Sequence, residues 1–356
     1  MTSQTTSTAS NSLIEYHTLQ ETLQHLEGNR RGIVYRKSTG SYAVRTPEGD
    51  TITCTITNRL RKVLVYPPRD PSSLGYFKVD HVEDIRVVDP VAVGDEVAWV
   101  EMNPGEGMIK EVLPRRSKLT RRAAGTKPTE QVIVANADQL VAVMAVKPDP
   151  QWTLLDRYLA GAEASEMPAI ICLTKLDLIR GTPMEAEVLV QVEVFRNIGY
   201  QVITTSTTTG EGIETLREVL KGKMSVFIGK SGVGKSSLLN TLQPGLGIRV
   251  NEINLSYGKG RHTTTYLEMH TLESGGEVVD TPGVKVYGLW NVDPDDIDLM
   301  YRDFAPFVGK CKFGADCTHE HEPGCAIIRA VQQGKITKRR YESYRHVRRY
   351  FDQEDK

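Results

Sequence analysis

Along the chain the spacing of apolar positions changes twice, and the changes mark out three regions. From Arg31 to about Pro114, short β-rich runs predict strands at Gly32 to Arg36, Tyr42 to Arg45, Thr51 to Thr57, Asp95 to Glu101 and Met108 to Val112. Turn residues separate them: Ser38, Thr39 and Gly40; Pro47, Glu48 and Gly49; Asn103, Pro104 and Gly105. Five such strands fit a small barrel of the OB type, although an SH3-like barrel reads much the same. In the second region apolar runs at Val132 to Ala135, Leu140 to Val146, Ala169 to Leu173, Val202 to Thr205, Met224 to Ile228 and Glu277 to Val279 alternate with helix-like stretches. The helices are predicted at Trp152 to Ala164, Met184 to Ile198, Gly212 to Leu220 and Lys235 to Leu242. Strands interleaved with helices mean a mostly parallel sheet covered on both faces. From Asp293 the pattern turns helical, with Asp293 as N-cap and Pro294 at the first helical position.

Three polar stretches interrupt this scheme. Residues 1–12 are small and polar, cannot bury apolar surface, and are expected to form a disordered leader. Residues 115–127 hold six basic residues and no acid, which suits a linker or a phosphate-facing edge; a merely solvated connector is the bland reading. Residues 335–349 carry seven Lys/Arg against the single Glu342. There Tyr341, Tyr344, Val347 and Phe351 recur at intervals of three and four, so one helix face is expected to dock and another to present charge. That surface suits RNA phosphates, with a solvated basic helix as the rival.

Composition narrows the class without choosing a function. The 356 residues are 39% hydrophobic and 25% charged, enough for several cores in a soluble globular protein. A formal charge of −1 means that nucleic-acid binding has to come from local patches. No apolar run approaches the roughly 18 residues of a membrane span. Before Arg30 there is neither an apolar signal core nor a Lys or Arg, so the expectation is a cytoplasmic protein with no membrane partner. Nothing demands oligomerisation, and a monomer is the default. Five cysteines are too few for a disulfide scaffold; Cys54 and Cys172, alone among β-branched and aliphatic neighbours, read as buried inert thiols.

The chemistry starts where the predicted strand Met224 to Ile228 runs into Gly229, Lys230, Ser231, Gly232, Val233, Gly234, Lys235 and Ser236, followed by Ser237 at the start of a helix. This is G-x-x-x-x-G-K-S in its required context. Glycines let the backbone wrap phosphates and aim N–H groups inward, Lys235 would neutralise β- and γ-phosphate oxygens, and the Ser236 hydroxyl would bind Mg²⁺. Asp280-Thr-Pro-Gly283 closes an apolar strand, placing a carboxylate near the Mg²⁺ shell and a glycine N–H where a γ-phosphate is sensed. Thr174-Lys175-Leu176-Asp177 follows another strand and resembles the guanine-reading N/T-K-x-D motif of GTPases. A carboxylate at Asp177 accepts both the N1–H and the N2 amino hydrogens of guanine. Ser206 and Thr207, at the end of the next strand, correspond to the base-lining motif.

Usual GTPases run phosphate loop, switch, DxxG, guanine motif. Here the guanine motif at 174 precedes the phosphate loop at 229, a switch-like segment at 258–265 and DTPG at 280, which is a circular permutation. With Asn136-Ala-Asp138, Gly258-Lys-Gly-Arg-His-Thr-Thr-Thr265 and the C-terminal Cys/His cluster in this order, the sequence closely resembles the permuted, ribosome-small-subunit-dependent GTPases of the RsgA, or YjeQ, family over about residues 31–350.

Near the C-terminus Cys311, Cys317, His319 and Cys325 offer three thiolates and an imidazole, the closed tetrahedral set of structural zinc. The family usually separates the first two cysteines by four residues, and here five intervene. His321 is the alternative imidazole, with His319 favoured by spacing. The residue after DTPG is Val284, which cannot orient water as the usual glutamine does, and the resemblance implies that His262 serves instead, beside Lys235, in catalysis. One of Thr263, Thr264 and Thr265 should reach Mg²⁺; the family alignment points to Thr264. Gly232 stands where potassium-activated GTPases carry asparagine, so a catalytic monovalent cation is not supported.

The expected architecture is multidomain: a partly disordered leader (1–30), an OB-fold RNA-binding domain (31–118), a circularly permuted α/β P-loop GTPase (119–292) and a helical zinc-binding domain (293–356). The resemblance implies hydrolysis of GTP to GDP and phosphate, stimulated by the 30S subunit, in a late-stage assembly factor that binds 16S rRNA. A permuted GTPase with another target, or an RNA scaffold holding GTP without turnover, are the alternative functions.

Overall fold

Alternating burial in the N-terminal strands closes them into a ring. The structure, a computed structural model, describes residues 29–65, 81–84, 87–123, 129–248, 267–281, 294–314 and 317–354. The expected leader, the last part of the basic connector, the segment 258–265 with His262 and Thr264, Gly283, Val284 and Asp293 lie outside the described residues. The described chain divides into two units, the first formed by residues before Arg86 together with Asp95–Pro114, the second by the rest.

The first unit contains β1 (Arg30–Ser38), β2 (Ser41–Arg45), β3 (Thr51–Ile56), β4 (Lys62–Val65), β5 (His81–Asp84), β6 (Glu96–Asn103) and β7 (Glu106–Val112). Strands pair in the order β1-β2-β3-β7-β6, and β6 returns to β1, closing a five-stranded barrel; β4 and β5 form a separate pair. Pairing is antiparallel except between β3 and β7. This Greek-key closure is that of the OB barrel and settles the choice against an SH3-like one. Val34, Tyr42, Val44, Cys54, Val97, Trp99 and Ile109 fill its interior. Gly107 has to be glycine, because a Cβ there would lie 2.7 Å from the Trp99 ring and 2.9 Å from the Cys54 sulfur.

In the second unit β8 (Lys118–Arg122) pairs with β9 (Glu130–Ala135), so the middle of the basic connector is strand: Leu119 is buried opposite Val134, and that burial fixes its conformation. Then follow β10 (Gln139–Ala145), α1 (Trp152–Ala164), β11 (Ala169–Thr174), α2 (Pro183–Asn197), β12 (Gln201–Thr204), α3 (Ile213–Leu220), β13 (Met224–Ile228), α4 (Lys235–Leu242), β14 (Leu267–Thr271) and β15 (Glu277–Asp280). The sheet order is β12-β11-β10-β13-β15-β14, parallel except for the edge strand β14. Although β13 follows β12 in sequence, it inserts between β10 and β15, as the motif order required. Val141, Val143, Cys172, Phe227, Leu216 and Leu238 join sheet and helices in one core. Asn136, with φ of 58°, donates to the Gly94 carbonyl at 2.9 Å and accepts from the Arg116 N–H at 2.8 Å. Asp138 accepts from the Met224 N–H at 2.7 Å. These two residues therefore staple the incoming chain to the sheet.

The C-terminal segment opens with 3₁₀ turns at Pro294–Met300 where an α-helix was expected; Ile297 and Asp298 turn inward together there. Two α-helices, α5 (Ala326–Gln332) and α6 (Lys338–Glu354), follow. Tyr344 and Val347 are buried, as their spacing predicted, but the basic run is divided. Lys338 and Arg349 are exposed, whereas Arg340 is only 1% exposed and joins Asp156 of α1 at 2.6 Å to Asp303 at 2.5 Å beneath the Tyr301 ring. Burial opposes its charge, but Asp156 and Asp303 more than offset this and raise its pKa. Arg339 reaches the other Asp156 oxygen at 2.8 Å and Gln191 at 2.7 Å. Two of the seven charges that looked RNA-facing, Arg339 and Arg340, are thus internal cement between α1 and α6.

Candidate functional site

The loop after β13 is shaped by backbone geometry before any side chain acts. Gly232 and Gly234 have φ of 84° and 95°, which a Cβ disfavours. A Cβ on Gly229 would collide with the Val143 carbonyl on the neighbouring strand. Lys230, Ser231 and Gly232 stand exposed along the loop, while Val233 and Gly234 turn back toward α4, where Ser237 sits in the first turn. Lys235 is buried, with Nζ donating to the Gly229 carbonyl at 2.7 Å. Burial pushes its pKa down, and the nearby Asp280 opposes the shift.

Asp280 ends β15 one strand away, and β13 pairing places it opposite Phe227. Its Oδ2 accepts from the Ser236 hydroxyl at 3.5 Å, and its buried Oδ1 has no hydrogen-bond partner among the described residues. Burial raises its pKa, with Lys235 and His270 pulling the other way. A hydroxyl and a partly unsatisfied carboxylate side by side fit a magnesium ion, which takes oxygen ligands. Gly283, His262 and Thr264 cannot be placed against this pair, since they lie outside the described residues.

The guanine motif meets the phosphate loop directly. Thr174, the last residue of β11, donates through Oγ1 to the Val233 carbonyl at 2.6 Å. Lys175, held at φ of 64°, donates through Nζ to the Gly232 carbonyl at 2.8 Å. Asp177 follows in a half-buried 3₁₀ turn. Beside it the Leu176 N–H reaches the Thr205 carbonyl at 3.3 Å, and the Thr205 N–H reaches Leu173 at 2.6 Å. Buried Ser206 accepts from the Thr208 and Thr209 amides at 3.2 and 3.1 Å, which folds the loop after β12. Arg180 links the two loops by pairing with Glu211 and, at 2.6 Å, with Glu185. Sequence reading missed this arginine because no motif contains it.

The second candidate site gathers Cys311, Cys317, His319 and Cys325, all buried, with ligand atoms within 4.8 Å of one another. Cys311 and Cys325 sulfurs are 3.8 Å apart, and His319 Nδ1 lies 3.5 and 3.4 Å from them. Tetrahedral zinc with bonds of about 2.3 Å to sulfur and about 2.0 Å to nitrogen spaces such atoms about 3.8 and about 3.5 Å apart, so the cluster fits that ion. His321 is exposed, and the geometry selects His319. Asp298, which no spacing rule flagged, meets His319 Nε2 at 3.0 Å and fixes Nδ1 toward the thiols. His319 has φ of 61°, and its carbonyl accepts from the Tyr341 hydroxyl at 2.6 Å. Nearby, burial would raise the Glu322 carboxyl, but hydrogen bonds from the Thr318 hydroxyl and the Thr318 and His321 amides bring it to about 2.

With the geometry in place, likeness to known proteins is informative. The RsgA GTPase family model matches residues 112–290. The small ribosomal subunit biogenesis GTPase RsgA of Ectopseudomonas mendocina (strain ymp) is 40% identical over 260 residues, covering 72% of this chain and 74% of that protein. The crystal structure of YjeQ from Thermotoga maritima superposes with a TM-score of 0.66 at 32% identity, covering 90% of this chain and 98% of the other. YloQ, described as a circularly permuted GTPase, gives a TM-score of 0.63 at 26% identity over 93% and 97%.

Proposed function

The chain belongs to the RsgA GTPase family of GTP-hydrolysing enzymes, and from that premise we propose that it acts as a late-stage assembly factor of the small ribosomal subunit. In this reading the 30S subunit stimulates hydrolysis, and the barrel, the permuted domain and the C-terminal helical domain, with boundaries near 31–118, 119–292 and 293–356, contact 16S rRNA. The observation that carries it is the pair of contacts from Thr174 and Lys175 to the carbonyls of Val233 and Gly232, which join a base-reading segment to a phosphate-binding one across the permutation.

Residues 229–237 cradle the phosphates, with Lys235 supplying positive charge against the transferred group. Asp177 selects guanine, with Thr174, Lys175 and Ser206 shaping its pocket. Ser236 and Asp280, with Thr264 from the switch-like segment, would hold magnesium, which when bound neutralises phosphate charge. Gly283 senses the terminal phosphate through its N–H. His262 orients the attacking water, so His262→Ala is expected to lower phosphate release with GTP affinity nearly intact. Cys311, Cys317, His319 and Cys325 would hold zinc, whose binding free energy becomes folding free energy of a segment with little core of its own. Among the described residues no helix is long and apolar enough to cross a membrane. Such a factor works in the cytoplasm, as a monomer.

The deciding experiment is phosphate release from GTP with and without purified 30S subunits, using 50S subunits and ATP as controls. Stimulation by 30S alone is expected. Tight GTP binding without stimulation would point to another RNA target or to a scaffold that holds GTP without turnover.

A further inference from the structure

Between the start of α1 and the side of α6 lies a groove of about 470 Å³ that neither the phosphate loop nor the four-ligand cluster uses. Its size falls in the range that holds a small ligand. Trp152, Arg157, Arg339 and His346 line it, with Pro150 and Val347 among its apolar walls, and among the described residues no carboxylate lines it. The nearest buried acid on α1, Asp156, is turned to Arg339 and Arg340, and the first turn of α1 contains no acidic residue.

The Trp152 ring is held rather than free. It packs 5.9 Å from the Phe195 ring, and the Arg339 guanidinium lies over it 5.8 Å from its centre. Arg339 is itself fixed by Asp156 and Gln191. A half-buried aromatic plane, preset by its neighbours and bordered by arginine and histidine, matches one chemistry: a flat base joined to a phosphate. An acidic peptide would use the cations but leave the aromatic plane without a matching partner.

We propose that the groove between α1 and α6 binds one nucleotide unit of single-stranded RNA, its base stacked on Trp152 and its phosphate beside Arg157 and His346. This rests on the reading of the protein as a small-subunit factor, and locates an RNA contact away from the GTP site. Neither Trp152 nor Arg157 belongs to the nucleotide or metal machinery.

The test is fluorescence anisotropy of a labelled single-stranded octauridylate at low salt, together with 30S binding, for the full-length zinc-loaded protein. Trp152→Ala, and separately Arg157→Gln combined with His346→Ala, are expected to weaken octamer binding about tenfold or more. Trp152→Phe should retain most of it, because stacking survives. Intrinsic GTP hydrolysis, zinc content and thermal midpoint serve as controls for folding. Variants that stay folded yet bind the octamer and 30S as wild type does would overturn the assignment. So would a charge-matched polyglutamate that competes equally well, or uridine monophosphate binding without octamer binding. Failure of the wild-type protein itself to bind 30S would remove the small-subunit reading, while the octamer series would still judge the groove.

Discussion

The phosphate loop and the Cys311–Cys325 cluster belong to the same unit, but they treat polar atoms in opposite ways. At the loop, shape comes from glycine backbone, and polar capacity is left over: Lys230 and Ser231 stand exposed and Asp280 Oδ1 has no partner among the described residues. At the cluster each sulfur or nitrogen faces another potential ligand, Asp298 occupies the second nitrogen of His319, and Tyr341 holds its carbonyl. A site that exchanges substrate keeps unmet hydrogen-bonding capacity, whereas a site that only closes a loop can be saturated.

The largest expected effect breaks the closed side. Chelation of the zinc-loaded protein should open Cys311, Cys317 and Cys325 to alkylation while Cys54 and Cys172 stay protected, as peptide mass mapping would read. Protection of all five thiols after metal removal would deny the cluster its structural part. On the open side, Lys235→Ala should lower phosphate release about 100-fold or more with zinc content unchanged. Next in size, Asp298→Asn should cut zinc retention about ten- to 100-fold in competition with a chromogenic chelator, leaving intrinsic hydrolysis alone. Equal retention would make Asp298 a bystander.

The smallest effect separates core thiols from cluster thiols. Burial pushes Cys172 up to about 12 from an ordinary 9.0. In the unfolded chain it ionises near 9, so its thiolate favours unfolding and wild-type stability falls as pH rises above that value. Cys172→Ala should flatten the slope between about pH 9 and 11 by at most about 1.4 kcal/mol per unit, measured by urea unfolding.

What was legible in the sequence was local. Helices at Trp152–Ala164 and Lys235–Leu242 appear with the expected bounds, because apolar periodicity and the glycine-rich turn specify them within a few residues. The phosphate loop is contiguous and could be read whole. The edge strand β14 escaped because only Met269 in it is buried, leaving no alternation to detect. Asp298 escaped because it precedes its partner His319 by 21 residues with no motif between. The fate of Arg340 was hidden for a stronger reason. Its partner Asp156 lies 184 residues earlier, and charge in a basic run says nothing about which residues face inward. Lys175 shows the same limit within a known motif: its type pointed to guanine recognition, but its grip on the Gly232 carbonyl is visible only in three dimensions.

The central position of β13 has a consequence for how the chain must be made. Strand β10, with all seven residues buried in the finished sheet, leaves the ribosome well before Met224–Ile228, its neighbour on the open side. During synthesis β10, β11 and β12 can assemble early with one long apolar edge uncovered, the kind of edge that recruits other chains. A permutation that leaves the mature architecture unchanged therefore moves its burden into translation, to the interval before the missing middle strand arrives.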